Sequence, residues 1–253
     1  MTAFLKGGSA EKLLSLSLVF LLLVAALGPA FSPAFRAAAL DRQTVQKILP
    51  AVVQIWWLVE EPDGIYGAGM GSGTILSADG LILTNAHVAF PDEPGVDLLG
   101  VALTIKSDQP PQPAFIAEVA AADEALDLAV LRIVRTLDGS PVRASSLNLP
   151  FVPLGDSGAL EVGDEIDIFV YPGIGGDTVT FTQGVVSGFS LEVGIEGRAW
   201  IKTDTTIAGG NSGGTSVDQN GLLVGVPTQA GSGSSGSTVD CRPVADTNRD
   251  GRV

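Results

Sequence analysis

A single cysteine, Cys241, and a single histidine, His87, occur in the 253 residues. One cysteine excludes a disulfide framework or a CxxC metal site built within the chain. One histidine excludes a multi-histidine metal centre and assigns any task that needs an imidazole to His87. Basic residues are also few: 14 Lys and Arg stand against 28 Asp and Glu, a formal net charge of −14. A surface this acidic repels a phosphate backbone, so nucleic acid is not an expected partner. No window sustains heptads and no unit recurs at fixed period, which removes coiled coils and solenoids.

Apolar residues make up 45% of the chain, enough for one large domain or two small ones with a real core. The 32 glycines and 15 prolines favour many short strands joined by turns. Lys6 and Lys12 precede an apolar run at 13–27, and Pro29, Pro33 and small residues follow. That is the charged, apolar, small-residue order of a secretory signal. The run has 15 residues, short of the roughly 20 that span a bilayer comfortably. Ala37-Ala38-Ala39 offers an A-x-A cleavage site, although it lies far beyond the apolar run. Residues 1–39 therefore read as a signal peptide or an uncleaved signal anchor, and either predicts export to a secreted, periplasmic or cell-surface location. Cleavage after Ala39 would leave 11 basic against 27 acidic residues, a net charge of −16.

From Asp41 to Leu49 a short helix is expected, with Asp41 as N-cap and Val45, Ile48 and Leu49 on its apolar face. The pattern then turns to strands at 51–59, 71–76, 80–84, 101–105, 115–120 and 128–134. After a long connection from about 135 to 163, further strands read at 165–171, 178–186, 199–203, 215–218 and 222–226. Antiparallel hairpins in two similar sets close well as barrels, at about 50–140 and 150–230. The fold class expected is all-β, a double antiparallel barrel with a short N-terminal helix. The Gly/Ser-rich stretch 231–240 has the composition of a linker, so the globular unit is expected to end near 230.

Three segments carry chemistry: Thr84-Asn85-Ala86-His87-Val88, the carboxylate of Asp127 inside Ala125-Leu126-Asp127-Leu128-Ala129-Val130-Leu131, and Gly209-Gly210-Asn211-Ser212-Gly213-Gly214. Alone, each has an ordinary reading: a packing histidine, a capping or ion-paired aspartate, a glycine-rich loop. Together they supply what acyl transfer needs. A serine hydroxyl requires a base to take its proton, and His87 is the one imidazole. The base requires a carboxylate on its far nitrogen to fix the tautomer, and Asp127 suits. Glycines beside Ser212 let the backbone aim N–H groups at one point, with the Gly210 and Ser212 amides as oxyanion donors. Gly210-x-Ser212-x-Gly214 also fits the nucleophile elbow of α/β-hydrolases, but those enzymes need a histidine after the serine, and none follows Ser212. The subtilisin order would need an acid before His87, where Asp63 and Asp79 lie in turn-like polar contexts. The order is therefore His, Asp, Ser.

These motifs, with GSGTILSADGLILTNAHV at 71–88, ALDLAVL at 125–131, LGDSGALEVGD at 154–164 and TDTTIAGGNSGG at 203–214, resemble those of the HtrA/DegP-type trypsin-like serine proteases, over about 43–230. The resemblance implies the chymotrypsin double barrel with its site between barrels, His87 as general base, Asp127 as its orienting acid and Ser212 as nucleophile. It also implies a primary pocket with its floor near Thr206 and its wall at Gly225, Val226, Pro227 and Thr228. No carboxylate stands at the floor position, so cleavage after Arg or Lys is disfavoured and small or medium aliphatic residues are expected before the scissile bond. The strand at 224–228 would pair with extended substrate. Three departures stand out. Only about 23 residues follow the protease-like region, too few for the family's usual PDZ domain. Thr215 stands where proline is frequent. Asn211 precedes the serine, so the ion pair that activates digestive trypsin-like zymogens cannot form there. Protein or peptide substrates are the implied partners, and self-association is frequent in the resembled family.

The tail Asp246-Thr247-Asn248-Arg249-Asp250-Gly251 matches the first half of a calcium loop, with Asp246, Asn248 and Asp250 as candidate ligands. The late bidentate acid is missing, and Cys241 lacks a second cysteine. Both point to a longer polypeptide that would supply them. Catalysis as read needs no cofactor. The function expected is an exported serine endopeptidase acting through an acyl-enzyme. A catalytically silent binding module of the same fold, and a calcium-dependent adhesion protein resting on the tail alone, are the alternatives.

Overall fold

The computed structural model describes residues 40–172, 178–206, 211–230 and 238–244. The leader at 1–39 and the calcium-loop-like residues Asp246, Asn248 and Asp250 lie outside them. Asp41 caps helix α1 (Arg42–Ile48): its Oδ1 accepts the Thr44 and Gln43 backbone N–H groups at 3.0 and 2.7 Å. Those bonds, with the Thr44 hydroxyl on Oδ2, hold the Asp41 carboxyl below its usual range. Val45 and Ile48 turn into the core, and the chain leaves through a 3₁₀ turn at Leu49–Ala51.

Six strands follow: β1 (Val52–Glu61), β2 (Gly64–Ile75), β3 (Leu81–Thr84), β4 (Leu98–Leu103), β5 (Gln112–Asp123) and β6 (Leu128–Thr136). They close into an antiparallel barrel in the order β1-β2-β3-β6-β5-β4. A second set repeats that topology: β7 (Glu165–Val170), β8 (Thr180–Ser190), β9 (Trp200–Thr206), β10 (Thr215–Val217), β11 (Leu223–Ala230) and β12 (Thr238–Pro243), closed as β10-β11-β12-β9-β8-β7. Closure removes the sheet edges that would otherwise recruit other chains. The all-β double barrel with a short N-terminal helix is as the sequence predicts.

Two apolar clusters form the core. Ile166, Ile168, Val186, Ile201 and Cys241 fill the second barrel. The larger cluster fills the first barrel and continues through Phe169, Tyr171, Val217 and Val226 to the junction between barrels, where Leu40 and Ile48 also pack. Val52, Val53, Gln54 and Ile55 are all buried, so the start of β1 has core on both faces. Polar bonds cross the same junction: the Tyr171 N–H donates to Ser72 Oγ at 2.8 Å, and the Thr74 and Thr215 hydroxyls meet at 2.6 Å.

The structure moves one expected boundary. The unit does not end near 230: β12 pairs with β11 and β9 and completes the second barrel. Cys241 is wholly buried there, with its Sγ 3.2 Å from Ser216 Oγ, and Val244 joins the core. Composition misled because the Gly/Ser-rich stretch joins two paired strands instead of leaving the domain. Cys241 packs as a small apolar residue within the second barrel.

Candidate active site

At the end of β3 the Thr84 hydroxyl donates to the Ser72 carbonyl at 2.7 Å, and Asn85 stays extended with φ −78° and ψ 152°. A single helical turn, α2 (Ala86–Ala89), follows. Ala86, Val88 and Ala89 are buried, and the Trp57 indole N–H donates to the Val88 carbonyl at 2.9 Å. That seating leaves the second residue of the turn, His87, on the outer face with a side chain 48% exposed.

His87 Nδ1 lies 2.8 Å from Asp127 Oδ2 and 3.0 Å from Oδ1, and the His87 backbone N–H donates to Oδ1 at 3.0 Å. A carboxylate on Nδ1 selects the tautomer with the proton there, which leaves the Nε2 lone pair for base chemistry. Asp127 stands just before the strand that its apolar neighbours Leu128–Leu131 enter. It ends a turn before β6, its N–H on the Glu124 carbonyl at 3.2 Å and its φ at +51°. A left-handed conformation at a residue with a Cβ needs support from its surroundings. Asn85 provides some: its Nδ2 donates to the Asp127 carbonyl at 2.8 Å.

Ser212 comes from the other barrel. The Ser72 N–H on β2 donates to its carbonyl at 2.8 Å, which draws the serine loop against the first barrel. Gly213, at φ +85°, donates its N–H to the Pro227 carbonyl at 3.0 Å, and Gly214 donates to the Asn211 carbonyl at 3.2 Å. The Ser212 hydroxyl donates to the Thr228 carbonyl at 3.1 Å. Among the described residues it makes no hydrogen bond to His87, so engagement of the base requires rotation of the serine side chain. Such looseness is common in a site without substrate.

The other predicted site residues divide. Pro227 and Thr228 reach the serine loop. Val226 is wholly buried in the core, and Gly225 stands opposite Ser216 and Pro243 in the barrel wall. Thr206 ends β9 opposite Thr238. Gly210, the expected second oxyanion donor, lies outside the described residues, as do the candidate calcium ligands.

Asn85 is the residue that sequence reasoning passed over. It is fully buried, and its Nδ2 donates both to the Asp127 carbonyl and, at 2.9 Å, to Thr228 Oγ1 across the junction. One amide thus ties the base turn, the acid turn and the strand that holds the serine hydroxyl. An asparagine just before a helical turn suggests an N-cap, but its side chain makes no cap bond. Asn85→Ala should cut peptide hydrolysis about 10- to 100-fold, mainly in kcat, because small misplacements of reacting groups cost that much. Steady-state kinetics beside a thermal melt measures it.

With this geometry in hand, relatives place the chain. The trypsin-like peptidase domain matches residues 71–226. The magnetosome formation protease MamE of Magnetospirillum gryphiswaldense is 35% identical over 162 residues, covering 63% of this chain and 18% of that protein. The putative serine protease HhoA of Synechocystis sp. is 35% identical over 167 residues, 64% of this chain and 37% of that protein. A probable periplasmic serine endoprotease, DegP-like, of Marinomonas sp. is 31% identical over 170 residues, 67% of this chain and 31% of that protein. The alignments thus span well under half the length of these relatives. Among solved structures, the HtrA-type protease AlgW with a decapeptide superimposes with a TM-score of 0.61 at 29% identity, covering 79% of this chain and 63% of that one. Topology, motif order and these matches agree: the chain belongs to the family of trypsin-like peptidase domains.

Proposed function

We propose that the chain is an exported serine endopeptidase of the HtrA-like type, acting through His87, Asp127 and Ser212. The observation that carries this reading is the His87–Asp127 pair at 2.8 Å on one barrel, with Ser212 drawn against that barrel by the Ser72 N–H. His87 Nε2 takes the Ser212 proton as Oγ attacks the scissile carbonyl, and Asp127 stabilises the imidazolium that forms. The same proton then passes to the leaving amine, and water releases the acyl group by the reverse sequence. The Ser212 and Gly210 amides would hold the oxyanion. The Thr228 carbonyl, released when the serine turns to His87, would accept an N–H from a substrate strand laid along β11. Export fits the leader and the periplasmic assignment of the Marinomonas relative.

Small or medium aliphatic residues are expected before the cut. Digestion of a mixed peptide library by the wild type and by Ser212→Ala, read by mass spectrometry, tests this. Wild-type cleavage after residues such as Ala or Val, absent in the variant, supports the assignment; cleavage after Arg or Lys contradicts the pocket. The contact of Ser212 Oγ with Thr228 favours one other reading, a silent binding module. Its signature in the same digest is a folded protein that cuts nothing.

A further inference from the structure

Strand β7 turns a carboxylate onto a face that the fold buries. Ile166, Ile168 and Val170 fill the second barrel, while Glu165, Asp167 and Phe169 alternate onto the opposite face. Phe169 shows what that face meets: the cluster that also contains Leu40 and Val217, and Val217 is the β10 partner of Asp167. Asp167 is only 3% exposed. Its carboxylate takes hydrogen bonds from the Gln183 side chain across β8 and from the backbone N–H of Leu40. Among the described residues no cation pairs with it. Glu165 adds repulsion, and burial pushes the Asp167 carboxyl up from its ordinary range. Glu165 Oε2 is itself buried without a hydrogen-bond partner, and no ion pair among the described residues reaches either carboxylate. A buried carboxylate held by neutral donors beside a second acid lacks the positive partner that such groups require.

The nitrogen already seated there belongs to the residue after Ala37-Ala38-Ala39. Leu40 is 8% exposed and packs in the core, so its position is fixed by its own side chain. We propose that the leader is cut between Ala39 and Leu40, and that the freed Leu40 α-ammonium is the missing cation, ion-paired with Asp167 beside Glu165. A leader peptidase hydrolyses the bond. The water oxygen joins the Ala39 carbonyl carbon to give a carboxylate, and both water hydrogens end on the Leu40 nitrogen, which becomes –NH₃⁺. One neutral donor becomes a charged one at the same carboxylate. The seat completes the fold of the processed chain and takes no part in the chemistry at Ser212.

Export of the full chain in a bacterial host, followed by intact-mass measurement and N-terminal sequencing, should return Leu40 as the first residue. An uncut chain or any other first residue overturns the proposal. On the processed protein, Asp167→Asn should lower Tm by roughly 5–10 °C, because it strands a buried ammonium. If the ammonium sits elsewhere, the same change relieves repulsion between two acids, and an unchanged or raised Tm overturns the proposal. Should Asp167→Asn give no folded protein, acetylation of the processed wild type at neutral pH decides. A Leu40 amine that reacts more slowly than Lys47 supports the seat. One that reacts faster, as a free α-amine with a pKa of about 7.7–8.0 does, overturns it.

Discussion

Ser212→Ala should lower the rate of peptide hydrolysis by about 10⁴- to 10⁶-fold while leaving the melting temperature close to that of the wild type. Among the described residues the side chain removed makes one hydrogen bond, to the Thr228 carbonyl, whereas the backbone bonds that seat the loop come from the Ser212 carbonyl and the Gly213 N–H. Loss of the hydroxyl therefore costs the proposed nucleophile and little structure. His87→Ala should fall to a similar floor, because the second and third losses from a unit that acts together add little. Asp127→Asn should cost about 10⁴-fold. An amide in place of the carboxylate can present an N–H to His87 Nδ1, which selects the tautomer with its proton on Nε2, where the base lone pair is needed. Steady-state kinetics on one peptide, with thermal melts of each variant, measures all three. A variant that loses rate only in proportion to its stability would show that the residue supports the fold and not the reaction.

Gly213→Ala should be the most damaging single change that removes no functional group. Gly213 has φ +85°, and a Cβ built on it falls 2.2 Å from the Ser72 carbonyl oxygen and 2.2 Å from Thr84 Oγ1. Ser72 is backbone of the adjoining barrel and Thr84 is wholly buried, so neither has room to yield. The conformational penalty alone is on the order of 1–2 kcal/mol, and overpacking against backbone adds typically 1–3 kcal/mol. Relief requires the serine loop to withdraw from the first barrel, which breaks the bond from the Ser72 N–H to the Ser212 carbonyl. Activity should fall at least 100-fold, in kcat first. Gly139→Ala is the internal control: Gly139 has the same φ of +85° with nothing within 4 Å of its added Cβ. It should lose about 1 kcal/mol and keep full activity. Equal losses at the two glycines would mean that backbone strain, not the junction between barrels, sets the effect.

What was legible in the sequence is what local chemistry encodes. His87, Asp127 and Ser212 could be matched because each sits in a short motif whose neighbours share the same task. The strands of both barrels could be placed because apolar residues alternate along them. Long-range partnership was harder to see. Asn85 donates to residues 42 and 143 positions away, and nothing beside it in the chain advertises either partner. β2 starts at Gly64, seven residues before the expected strand, because Gly67, Gly69 and Gly71 offer no side-chain pattern to read. Gly69 is there for clearance: its Cβ would fall 2.3 Å from the Trp57 ring. β12 was lost behind a Gly/Ser-rich connection, since its place is set by pairing with β9 and β11 and not by composition. Asp167 looks like one polar step in an ordinary alternating strand. Only the core on its far side shows that this step is buried.

The central claim is that His87, Asp127 and Ser212 assemble into one reacting unit when the serine side chain leaves the Thr228 carbonyl. Labelling with a fluorophosphonate probe tests it without knowledge of the substrate. The protein should label covalently at Ser212, and both Ser212→Ala and His87→Ala should abolish that labelling. A folded wild type that never labels, or a His87→Ala variant that labels as fast as the wild type, would contradict the account.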